Sequence, residues 1–221
     1  MYLKIFLSDI LKDLDKVLYI DSDTFIRKDL IEFFSQLNTE EKYDMAIIKD
    51  LGILKIWPDE TEACKTGKFF NSGLLLMNLK NIRQKNGLID RFMQLPESDK
   101  YQKGGDQSTL NLLEFGRVKF IDVKYAVSWH KITMNTHPEI YKNIKLYNSV
   151  YGTKYKSIDD LVEKSVVWHF HGDKKEMVKN QKVKKVFDDV KAALQAFKRN
   201  KDLTKIKIPS LFDKNIFLSR P

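Results

Sequence analysis

A chain of 221 residues that is 43% hydrophobic, 31% charged and 12% aromatic has the balance of one soluble globular domain with a sizeable core, which excludes a disordered or fibrous protein. Its single cysteine, Cys64, cannot close an internal disulfide or build a zinc ribbon, and no apolar run approaches the roughly 20 residues that cross a bilayer, so a reducing, cytoplasmic setting is expected. The net charge of +9 is concentrated, because residues 179–221 carry 12 basic and 4 acidic side chains, and any argument for an anionic partner concerns that segment alone.

In chain order, the start from Met1 to Lys16 places acids where an export signal would continue its apolar core. Strand-length apolar runs then recur at Val17–Ile20, Met45–Ile48, Gly73–Asn78, Val118–Asp122 and Val166–Phe170. Several are continuously apolar, as expected of strands covered on both faces. Between them, helical spacing predicts helices over Lys28–Gln36, Leu79–Leu95, Asp106–Phe115 and Lys182–Arg199, the last with Val183, Val186, Phe187, Val190, Leu194 and Phe197 along one stripe. Turn signals stand at Asn86-Gly87, Gly104-Gly105, Gly116 and Gly152. The alternation predicts an α/β fold with a mainly parallel sheet flanked by helices. Trp129–Lys156 reads as irregular connections. Beyond Asn200 the apolar residues Ile206, Ile208, Leu211, Phe212, Ile216, Phe217 and Leu218 have no steady helical spacing.

The residues able to do chemistry fall in four places. Val17–Ile20 runs straight into Asp21-Ser22-Asp23, two carboxylates on the same side of an extended segment, a pair suited to a divalent cation that prefers hard oxygen ligands and can bridge to phosphate. Asp23 could equally cap a following helix. An EF-hand does not fit, because Ile26 stands where that loop needs glycine. In Trp168-His169-Phe170-His171-Gly172 either imidazole could complete such a metal site, and spacing does not choose between them. Lys174 and Lys175 follow, where an ammonium could meet an anionic leaving group. Phe70-Asn71-Ser72-Gly73 puts small polar residues at a strand entrance, and Gly104-Gly105-Asp106-Gln107 opens a helix.

In this order the segments resemble glycosyltransferase family 8, the retaining sugar transferases that include glycogenin and bacterial lipopolysaccharide galactosyl- and glucosyltransferases. Lys16–Thr24 resembles the family's DxD strand, Phe70–Gly73 its FNSG segment, Gly104–Gln107 with Leu110-Asn111 its GGDQ…LN segment, and His169–Gly172 with Lys175 its closing HxxG…K motif. The resemblance implies a GT-A-like fold and a manganese ion, or magnesium in its place, held by Asp21, Asp23 and His169. It implies that Lys175 holds the donor diphosphate and that Asp106 and Gln107 lie beside the donor sugar as the catalytic pair. It further implies that Asn71 and Ser72 line the sugar pocket, that Asp50 stands near the family's sugar-binding aspartate, and that Lys4 supplies a basic group close to the donor.

The reaction implied is transfer of a hexose, glucose or galactose, from a UDP-sugar to a saccharide or other hydroxyl acceptor, as in lipopolysaccharide or polysaccharide biosynthesis. Departure of a diphosphate builds negative charge, which a divalent ion and Lys175 would stabilise. Two departures stand out. Lys175-Glu176-Met177 replaces the family's KPW, and 20 residues precede Asp21 where members place a longer segment carrying the first nucleotide-binding strand. The expectation is therefore an N-terminally shortened catalytic domain over residues 1–178 and a basic amphipathic helix and tail over 179–221, with an inactive sugar- or metal-binding remnant as the alternative. A haloacid-dehalogenase-like phosphatase also carries DxD, but leaves the other three segments unexplained. The tail suits peripheral contact with an anionic membrane, whereas no aromatic-bearing basic sheet face points to nucleic acid.

Overall fold

The computed structural model describes residues 2–54, 62–97, 105–135, 137–172, 174–177 and 179–200. The expected Gly104 and the apolar tail from Ile206 to Leu218 lie outside the described residues. The apolar runs become strands β1 (Lys16–Ile20), β3 (Met45–Lys49), β4 (Phe70–Asn78), β5 (Val118–Phe120) and β6 (Val167–His169), and a short strand that the sequence pattern does not announce, β2 (Thr24–Ile26), follows the DxD segment. The chain divides into two compact units, one from Met1–Ser22, Ile31–Val123 and Ser149–Thr153, the other from Asp23–Leu30, Lys124–Asn148 and the described residues from Lys154 onward.

The first unit is built on a sheet of order β1-β4-β3-β5. β4 is central and its leucines are covered on both faces, which is why it reads as an unbroken apolar run, whereas β1 at one edge is half-buried throughout. Ile5, Met45, Ile47, Leu75, Met77, Ile82 and Leu110 form its core. Strand direction departs from expectation. β4 runs antiparallel to both β1 and β3, and only β3 and β5 pair in parallel. A continuous apolar run reports burial of both faces and says nothing of direction, which the connections decide.

The helices also differ in detail. The expected Leu79–Leu95 helix is two, Leu79–Gln84 and Gly87–Met93, broken at Asn86, whose φ of 70° is a left-handed conformation that asparagine tolerates. The expected Lys28–Gln36 helix is confined to Ile31–Phe34, and that over Asp106–Phe115 stops at Leu113. Trp129–Lys156, read as irregular, contains helices at Trp129–Thr133, Pro138–Tyr141 and Ile144–Tyr151, each too short to establish a period in the sequence.

The second unit centres on an antiparallel β2–β6 ribbon with Thr24 opposite His169 and Phe25 opposite Trp168. Trp168 is its organising side chain: Trp129 stacks on it with ring centroids 4.3 Å apart, the Arg27 guanidinium lies 4.3 Å from its ring centre, and its indole N–H donates to Ser165 Oγ at 2.8 Å. The helix Gln181–Asn200 buries Val183 and Val186, and Phe187 meets Phe170 with ring centroids 5.2 Å apart. Among the described residues no helix is long and apolar enough to cross a membrane.

Candidate active site

In the first unit, backbone pairing carries two aspartates to the entrance of β4. Beyond the β1–β4 ladder the Asp21 amide donates to Gly73 O at 2.8 Å, and on the β3 side the Asp50 amide donates to Phe69 O at 3.0 Å. The helix Asp106–Leu113 is locked to the same entrance by Asn111, whose Oδ1 accepts from the Phe70 amide at 2.7 Å while its Nδ2 donates to Phe70 O at 2.9 Å. Its first turn therefore delivers Asp106 and Gln107 to Ser72. Gly105 enters that helix with φ 64° and ψ −140°, a conformation open to glycine and costly for residues with a Cβ.

One buried ammonium ties the cluster together. Lys4 is 3% exposed, and its Nζ donates to Ser72 O at 2.8 Å and Ser72 Oγ at 3.0 Å and pairs with Asp106 Oδ2 at 2.8 Å and Asp21 Oδ1 at 3.4 Å. Gln107 is held at both ends of its amide: Nε2 donates to Asp50 Oδ2 at 3.2 Å and Oε1 accepts from the Ser72 amide at 3.1 Å. Asn71 shapes its own turn by accepting the Gly73 amide at 2.9 Å, and Asp50 Oδ1 accepts that of Gly52 at 2.8 Å. Seven residues singled out by the sequence, Lys4, Asp21, Asp50, Asn71, Ser72, Asp106 and Gln107, thus gather at one strand entrance. Tyr19, which the sequence reading passed over, joins them by donating its hydroxyl to Asp21 Oδ1 at 2.7 Å. Strand alternation, which puts residues 19 and 21 on one side, was the available signal.

In the second unit the β2–β6 register sets Asp23 beside His169. The Phe170 amide donates to Asp23 O at 2.8 Å and the His169 amide to Val127 O at 2.9 Å. Asp23 Oδ1 and His169 Nε2 are both buried and lie 3.3 Å apart, and among the described residues His169 Nε2 finds no hydrogen-bond partner. Asp21 is joined to Asp23 through Ser22 alone. His171 differs: its Nε2 lies 2.8 Å from Ser128 Oγ, and burial, then the charges of Lys131, His169 and His130, push its pKa well below the ordinary imidazole value. His130, for which the sequence carried no signal, places Nδ1 3.0 Å from His169 O. Lys175 is exposed on the short helix Lys174–Met177, while Met177, where the family motif has tryptophan, is buried.

A buried carboxylate oxygen facing a buried imidazole nitrogen that makes no hydrogen bond is the donor set a divalent cation completes, so these residues fit the metal that the motifs imply. The family model of glycosyl transferase family 8 matches residues 1–176. The chain belongs to this family. It is 23% identical over 186 residues to general stress protein A of Bacillus subtilis, covering 82% of this chain and 60% of that one, and 35% identical over 127 residues to glucoside xylosyltransferase 2 of Mus musculus, covering 50% of this chain and 28% of that one. Among solved structures it is similar to the bifunctional glycosyltransferase WbbM, with a TM-score of 0.61, 21% identity and coverage of 78% and 31% of the two chains. It is also similar to the galactosyltransferase LgtC in complex with donor and acceptor sugar analogues, with a TM-score of 0.58, 22% identity and coverage of 85% and 64%. These likenesses bear out the GT-A-like α/β fold, its strand directions apart. The chain spans 20 to 60% of the length of the curated relatives it matches.

Proposed function

We propose that this chain carries the donor site of a retaining glycosyltransferase that moves a hexose, glucose or galactose, from a UDP-sugar to a saccharide or other hydroxyl acceptor. The proposed ligands of a manganese ion, or magnesium in its place, are Asp21, Asp23 and His169. The observation that carries this reading is the buried 3.3 Å approach of Asp23 Oδ1 and His169 Nε2. When bound, the ion supplies positive charge against the diphosphate leaving group. Lys175 adds a second positive charge from an exposed short helix that can receive a diphosphate.

The first unit handles the sugar. Asp106 and Asp21 share the Lys4 ammonium, which offsets one of the two negative charges they bring to the β4 entrance. Asp106 presents negative charge to an oxocarbenium-like centre, and Gln107, fixed by Asp50 and Ser72, presents an amide in one orientation. Asn71 and the buried Ser72 offer hydroxyl-binding groups at the β4 entrance. Calorimetric titration with UDP, with and without manganese, and assay of UDP-glucose and UDP-galactose hydrolysis test the reading. Metal-dependent UDP affinity is the expected result, and metal-independent or absent affinity refutes it.

The segment 179–221 is proposed to touch anionic membrane peripherally. In its helix Lys182, Lys184, Lys185 and Lys191 are exposed beside Phe187 and Leu194, although Lys184 and Lys185 spend charge on Asp188 and Asp189. Co-sedimentation with phosphatidylserine vesicles, lost in high salt and absent with neutral vesicles, is the expected behaviour.

A further inference from the structure

We propose that Tyr19 is a positioning residue for the metal ligand Asp21, setting the rotation of that carboxylate through a single hydrogen bond; this rests on the metal reading above. Three observations in the first unit carry it. The Tyr19 hydroxyl donates to Asp21 Oδ1 at 2.7 Å. The same oxygen is the one that Lys4 approaches at 3.4 Å, so a neutral donor and a cation fix one edge of the carboxylate. The Tyr19 ring is held in turn, packed against the core of the first unit, paired in register opposite Leu75, and lying 4.9 Å beneath the Lys4 ammonium.

The chemistry follows from geometry. Asp21 lies just past the end of β1, where the backbone alone leaves two side-chain torsions open. A carboxylate that turns freely must be ordered when an ion binds, and that entropy weakens binding. A phenol anchored in a strand orders it beforehand and, being uncharged, does so without neutralising the ligand. Lys4 cannot replace this role, because it also serves Asp106 and Ser72.

Tyr19→Phe keeps the ring and removes only the hydroxyl. Manganese affinity measured by calorimetry on the full chain should fall about 10- to 100-fold, as outer-shell partners of metal ligands typically do, with the melting temperature nearly unchanged. Leu18→Ala, on the opposite face of β1, is the structural control: it should lower the melting temperature and leave manganese affinity within about twofold. If Tyr19→Phe binds manganese like the wild type, or loses affinity only in proportion to lost stability as Leu18→Ala does, the positioning role is overturned while the metal reading stands. If the wild-type chain itself binds no manganese, the metal reading falls and takes this inference with it.

Discussion

Burying the Lys4 ammonium carries a desolvation cost that Asp106, Asp21 and Ser72 offset, with the Tyr19 ring 4.9 Å away adding to them. Lys4→Met should therefore destabilise the protein by about 3 kcal/mol in urea unfolding, since it strands the largely buried Asp106 carboxylate, and should abolish donor hydrolysis. A stability loss no larger than that of an ordinary surface change would show that Asp106 finds another partner. At the proposed metal site, Asp23→Asn preserves shape and removes charge, so manganese affinity should drop at least tenfold while the fold persists. His169→Ala should impair metal-dependent UDP binding far more than His171→Ala, because His171 Nε2 is already engaged with Ser128. Equal effects in calorimetry would assign both imidazoles to the ion.

Elements matter here as carriers of side chains to one place. Asn111 joins a helix to a strand, reading both the N–H and the C=O of Phe70 and also donating to Gln107 O at 2.8 Å. Asn111→Ala strips the buried N–H and C=O of Phe70 of their side-chain partner, which should cost about 3 kcal/mol and release the helix turn that holds Asp106 and Gln107. Donor hydrolysis should then fall more steeply than manganese affinity, since Asp23 and His169 are carried by the β2–β6 ribbon. A contrasting case is Ser157, whose hydroxyl accepts from the Asp160 amide at 3.1 Å and caps the helix Ile158–Lys164. Ser157→Ala should cost about 1 kcal/mol and leave donor binding untouched.

At the scale of the whole molecule, pH acts through one buried carboxyl. Glu114 is fully buried, and burial raises its pKa to about 8 even though Arg91 Nη2 lies 2.6 Å from its Oε1; Asp44 pushes the same way as burial, and Arg117 opposes it. The folded chain thus holds a proton on Glu114 up to about pH 8, whereas the unfolded chain releases it near the ordinary carboxyl value of 4.5. Between those values the folded state binds more protons, so raising the pH favours unfolding, and the stabilisation present below about pH 4.5 is lost by about pH 8. Urea midpoints should decline across that window in the wild type, and the decline should be reduced in Glu114→Gln. An identical slope in the two proteins would assign it to other groups.

Sequence alone determined which residues stand as candidates for the chemistry. DxD, FNSG, GGDQ and HxxG are local patterns whose side chains were legible without knowing how they meet, and continuous apolar runs marked the buried strands because burial of both faces leaves that signature. It did not determine strand direction, since Leu74–Met77 would be equally apolar in a parallel or an antiparallel β4. Nor did it reveal the short β2 or the helices of Trp129–Tyr151, which are too brief to display a period. What only tertiary structure decided is who touches whom. The Lys4 ammonium between Asp21 and Asp106 closes 17 residues on one side and 102 on the other, and the Asn111 clasp on Phe70 closes 41. Such contacts are made by register and packing between distant segments, and no local spacing in the chain encodes them.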